Sequence, residues 1–191
     1  MHRGRLEAFS DGVIAILITI MVLELKVPRG VTIEALRPML PVVSSYVLSF
    51  VFLGIYWNNH HHMMHMVDRV NGKILWANLH LLFWLSLVPF VTAYLGQNGV
   101  APLTAALYGG ILLLAGIAYT ILQTTIIASQ GPGSKLKEAV RGDVKGKMSV
   151  AFYAAGIALA FVAPWVSISL YVVVAGTWLV PDRRIERRIG S

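Results

Sequence analysis

Apolar residues in this chain run in long blocks, with the polar residues gathered between them. A helix that crosses a bilayer takes about 20 mostly apolar residues, because the hydrocarbon core is about 30 Å thick and each residue rises about 1.5 Å. Blocks of that length cover residues 9–27, 39–62, 73–95 and 101–128. Two shorter blocks, 144–163 and 167–180, flank Pro164-Trp165. One helix across both would be too long, and Pro164 forces a break or kink, so two short spans joined by a tight turn fit better. The pattern predicts an all-α integral membrane protein with six transmembrane helices, the whole of 1–191 forming one six-helix unit.

Composition agrees. Of 191 residues, 57% are hydrophobic and only 13% charged, against about 45–50% and about 25% in soluble domains. The mean hydropathy is +0.69. One compact core in water cannot hide that much apolar surface, which argues against an ordinary soluble enzyme. No cysteine is present, so disulfides, thiolate catalysis and Cys-ligated metal or haem are excluded. Asp11 near the start of the first block, with no small-residue site after it, argues against a cleavable signal peptide.

The net charge of +7 resolves into an asymmetry. Arg3 and Arg5, Arg69 and Lys73, the loop Lys135, Lys137, Arg141, Lys145 and Lys147, and the tail Arg183, Arg184, Arg187 and Arg188 hold 13 of the 16 basic residues. The other side has Lys26, Arg29 and Arg37. Cytoplasmic loops carry such an excess, so both termini are expected in the cytoplasm. The charge reports orientation, and no nucleic-acid partner is expected. The basic loop 130–147 fits an ordinary cytoplasmic connection, with recognition of anionic lipid headgroups as the sharper alternative.

The first block carries the candidate chemistry. Ser10 and Asp11 lie inside it, and an intramembrane aspartate needs a partner or water; its plain role would be charge–dipole stabilisation of a helix start. Ile16, Ile20 and Leu23 share one helical face with Thr19 at its margin. That stripe fits either a packing seam or a pore lining that gates by dewetting. One helix cannot enclose a pore, so the second reading requires a symmetric oligomer.

Arg5-x-x-x-Phe9-Ser10-Asp11 resembles the RxxxFSD signature of the endosomal/lysosomal-type transmembrane potassium channel family, in its short prokaryotic form. Trp57-Asn58-Asn59-His60 is similar to that family's WxxH, and Asn78 followed by Pro89-Phe90-Val91-Thr92 to its Asn…Pro-Phe-x-Thr pattern. The last three blocks match in hydropathy and number alone. The resemblance implies a potassium-preferring cation channel in a prokaryotic plasma membrane. It implies a homotetramer whose first helices line a central pore, with potassium as the permeant ion and no cofactor. It puts an apolar constriction at Ile16, with Ile20 and Leu23 along the same stripe, and a polar pore-facing layer at Thr19. It joins Arg5, Ser10 and Asp11 with Trp57, His60 and Asn78 in a polar network that ties the first helix to the second and third. No TVGYG-like loop is present, so a carbonyl cage is unavailable and moderate selectivity is expected.

Other candidates carry less. His60, His61, His62 and His65 cluster at one helix end, with His61 and His65 at the i, i+4 spacing of helical metal sites. No HExxH follows and a third ligand is missing, so neither a metal site nor a catalytic residue is expected. Glu24 and Lys26 serve as interfacial solvation or dress a pore mouth. Trp57, Trp76, Trp165 and Trp178 fall near span ends, as in an aromatic belt. The alternative function is a secondary cation or proton-coupled transporter. Transporters favour helices broken near the midplane, and no glycine or proline lies between Val13 and Val27. A membrane enzyme with a histidine metal site lacks its third ligand.

Overall fold

A computed structural model describes residues 2–67, 69–131, 133–140 and 144–179. Arg141, the basic tail Arg183–Arg188 and the last residue of the block 167–180 lie outside the described residues. The described residues contain no strand. The helices are α1 (Arg3–Met21), α2 (Ile33–Leu36), α3 (Leu40–His65), α4 (Gly72–Ser86), α5 (Val88–Asn98), α6 (Pro102–Gln130), α7 (Lys135–Ala139), α8 (Val144–Ala160) and α9 (Pro164–Leu179). Each of the six apolar blocks is a helical rod, the third being α4 and α5 in succession. The stretches Arg3–Glu24, Ile33–His65, Gly72–Asn98 and Pro102–Gln130 are long and apolar enough to cross a membrane; Pro164–Leu179 is apolar but shorter.

Block edges and helix ends agree within a few residues except at the first. There α1 starts six residues earlier than the apolar block and gives way to a 3-10 turn over Val22–Glu24. The reason is amphipathicity. Leu6 packs on the same inward face as Ser10 and Ile14, so two polar-looking turns belong to the helix. Asp11 therefore stands in the third turn, too far in to serve the helix start. The third rod breaks at Leu87 because Pro89 lacks an N–H to continue the ladder; the Leu87 amide bonds the Trp84 carbonyl at 3.2 Å instead. Pro164 opens α9 after a turn, as expected.

The helices pack around two apolar clusters. In the first, Leu6, Ile14, Leu17 and Met21 of α1 meet Leu53, Met63 and Met64 of α3, Ile74, Leu81 and Leu85 of α4, and Leu122 of α6. The second holds Phe52, Val91, Leu95, Tyr108, Tyr153 and Tyr171 from α3, α5, α6, α8 and α9. Tyr171 lies against Gly109 and Gly156, where a Cβ on either glycine would overlap its ring or hydroxyl. Gly109 thus serves close packing of α6 on α9. Gly96 admits α3 in the same way, beside Ser45 and Val42.

Contacts also sort the helix ends. Arg3 bonds the His65 carbonyl at 3.0 Å, Gln130 bonds the Met66 carbonyl, and Lys145 lies 6.0 Å from the Trp178 ring. The start of α1, the end of α3, the end of α6, the start of α8 and the end of α9 therefore share one end of the bundle. Glu24 and Gln97 meet at the other, 3.2 Å apart.

Candidate functional site on the first helix

The first helix has two unlike faces. Leu6, Ser10, Ile14, Leu17 and Met21 are buried within the chain. Phe9, Ile16, Ile20 and Leu23 are 52%, 59%, 40% and 77% exposed, and Thr19 is exposed beside them. The stripe is therefore no seam within this chain, since that role belongs to the opposite face. The Thr19 hydroxyl donates to the Ile16 carbonyl at 2.9 Å, which leaves its oxygen lone pairs directed away from the backbone.

On the buried face runs a one-way hydrogen-bond chain. The Ser10 hydroxyl donates to the Leu6 carbonyl at 2.9 Å, so its oxygen accepts from Asn78 Nδ2, also at 2.9 Å. The other amide atom, Asn78 Oδ1, then accepts from His60 Nε2 at 2.7 Å. Asparagine has both donors and an acceptor, so it sets the direction and fixes the proton of neutral His60 on Nε2. All three side chains are fully buried. They join α1, α3 and α4, which lie in the first, second and third apolar blocks.

The other expected members stand apart. Asp11 interacts electrostatically with His60, but its buried Oδ1, like His60 Nδ1, has no hydrogen-bond partner among the described residues. Arg5 is exposed, and Arg3 makes the inter-helix bond instead. Trp57 is 45% exposed and stacks on His61 with centroids 6.1 Å apart. Thr92 is buried beside Ser49 at 2.6 Å, and Ser49 is 2.8 Å from the Tyr108 hydroxyl.

One residue was missed. Glu7 Oε1 sits 3.0 Å from His61 Nδ1 and 3.6 Å from His65 Nε2, while His65 Nε2 lies 3.1 Å from His61 Nε2. The i, i+4 histidines were visible in the sequence. Their carboxylate comes from another helix, where no local spacing announces it.

Four long apolar helices around these clusters define an integral membrane protein. Its relatives narrow the class. The family model for the endosomal/lysosomal potassium channel TMEM175 matches residues 5–89. A protein of Chryseobacterium sp. (strain P1-3) named as a potassium channel is 54% identical over 99% of this chain and 98% of its own length. A second potassium channel, from Chamaesiphon minutus, is 32% identical over 90% of this chain and 91% of its own. The crystal structure of a lysosomal potassium-selective channel TMEM175 homolog from Chamaesiphon minutus superimposes with a TM-score of 0.80 at 29% identity, over 93% of this chain and 96% of that one. The chain belongs to the TMEM175 family.

Proposed function

We propose that this chain is one subunit of a potassium-preferring cation channel. In this reading it is a homotetramer in a prokaryotic plasma membrane, with the first helices lining a central pore. Each chain crosses the membrane six times, and both termini lie in the cytoplasm. The observation that carries the reading is the unoccupied stripe of Ile16, Thr19, Ile20 and Leu23 on a helix whose other face is fully engaged. The two relatives named potassium channels, matched over nearly the whole chain, support it.

Conduction follows from the side chains. Rings of Ile16, Ile20 and Leu23 strip water from a permeating ion and close by dewetting. Thr19 offers a hydroxyl oxygen whose proton is already donated to Ile16, so a cation meets lone pairs there. An isoleucine ring supplies no oxygen ligands, and discrimination rests on constriction and dehydration. Potassium sheds its shell more easily than sodium, which gives preference without exclusivity. Ser10, Asn78 and His60 hold the helix in place from the opposite side of α1, and Asp11 lies toward that same side.

Orientation rests on charge. The ends brought together by Arg3, His65, Gln130 and Lys145 carry most of the described basic residues, the cytoplasmic pattern. At 17 residues, α8 spans about 25 Å, short of the hydrocarbon thickness; flanking lysines reach the interface and the bilayer thins locally.

Purified protein in a planar bilayer under a potassium gradient tests the function. Discrete unitary currents reversing toward the potassium potential, with measurable sodium permeability, are expected. Slow flux without unitary steps would instead favour the transporter, and near-absolute sodium rejection would contradict the constriction mechanism.

A further inference from the structure

Glu7, His61 and His65 bring three ligand atoms from two helices to within 4.8 Å of one another. From Glu7 Oε1, His61 Nδ1 lies at 3.0 Å and His65 Nε2 at 3.6 Å. Two atoms bound at about 2.0 Å to a tetrahedral metal are about 3.3 Å apart, and these two edges bracket that value. We propose that Glu7, His61 and His65 form a binding site for a divalent transition metal of the zinc class, which staples α1 to α3 at the basic end of the bundle.

The donor set decides the metal. Two imidazole nitrogens and one carboxylate oxygen suit zinc, whereas calcium and magnesium prefer all-oxygen shells. The site is also open. The Glu7 side chain is 15% exposed, and those of His61 and His65 are 38% and 41% exposed, so an ion enters from solvent and keeps a fourth position for water.

The ligands are held before any metal arrives. His61 and His65 sit one turn apart on a 26-residue helix. Trp57 stacks on the His61 ring, and the Arg3–His65 bond fixes the start of α1 against the end of α3. His65 Nε2 and His61 Nε2 share one hydrogen-bond proton across 3.1 Å, while His61 Nδ1, buried and without a hydrogen bond among the described residues, lies 3.0 Å from Glu7 Oε1. A metal ion replaces protons already in the triad, so binding releases protons and strengthens with pH. The sequence alone left this pair of histidines without a third ligand, and the fold supplies Glu7. The site requires only that α1 packs on α3, and stands whether or not the outer stripe of α1 lines a pore.

Calorimetric titration of the untagged full-length protein in detergent with zinc chloride tests the site. About one zinc per chain is expected, with no comparable heat from magnesium or calcium. Glu7→Gln, His61→Gln and His65→Gln should each weaken binding about tenfold or more, since even outer-shell partners of a metal contribute that much. His80→Gln, on α4 and bonded to Trp84, should leave it unchanged. Zinc should also raise the melting temperature of the wild type and of His80→Gln but not of Glu7→Gln, a comparison made within each protein and so independent of any loss of basal stability. Absence of zinc binding, or undiminished binding by Glu7→Gln, or an equal loss in His80→Gln, would overturn the assignment.

Discussion

Asn78 decides the local chemistry beside the first helix because it alone offers both a donor and an acceptor between a serine and a histidine. Replacing it with alanine leaves the His60 Nε2–H buried without an acceptor, and an unsatisfied buried group costs about 1–3 kcal/mol. Asn78→Ala should therefore lower the melting temperature of the purified protein, whereas a substitution at Trp76 (75% exposed) should hardly move it. On the opposite face, Ile16→Asn places an amide at the proposed constriction. Current recordings should show a higher conductance or weaker potassium preference; unaltered currents would remove Ile16 from the pathway. The sequence motif, in naming Ser10, His60 and Asn78, picks polar residues inside apolar blocks, each of which has to find a partner. It did not separate them from Arg5 and Trp57, which stand on other sides of their helices. Glu7 escaped notice altogether, since its partners lie more than 50 positions along the chain.

Helix identity was the most readable property, and helix ends the least. Apolar length marks what a bilayer covers, so 39–62 and 101–128 nearly coincide with α3 and α6. It does not mark where backbone hydrogen bonding begins. At α1 the chain is helical from Arg3 because Leu6 continues the buried face below the apolar block. Pro89 interrupts the third rod while Leu85 and Val91 on either side stay buried, so the apolar pattern runs through the break unmarked. Close packing between helices left no local signal: the partner of Gly109 on α6 is Tyr171, which lies on α9. Gly109→Ala sets a methyl group into that tyrosine. Overpacking of this kind costs about 1–3 kcal/mol, and thermal unfolding in detergent should show the loss. Gly110→Ala, where an added Cβ meets nothing within 4 Å, should be tolerated.

For the assembled molecule, the proposed pore requires partner copies at the outer face of α1. Light scattering of the protein in micelles should give four chains per particle, and a monomer would leave the stripe facing lipid. Asp11→Ala should loosen assembly or alter gating more than it alters ion preference, because Asp11 neighbours His60 rather than the exposed stripe; a change confined to selectivity would contradict that division. The charge asymmetry is the only sequence signal for the proposed orientation, and Arg3 at the expected cytoplasmic end bonds the His65 carbonyl there. Oligomeric state was not readable from periodicity, since lipid-facing and pore-facing isoleucines obey the same 3.6-residue period.

The absence of cysteine provides the most direct test of the claim that this stripe lines the ion pathway. A Leu23→Cys variant carries one thiol at the most exposed stripe position on the first helix. In planar bilayers, a charged thiol-specific reagent should irreversibly reduce its potassium current and leave the wild type untouched. Unchanged currents from Leu23→Cys protein that mass spectrometry shows to be fully modified would contradict the account.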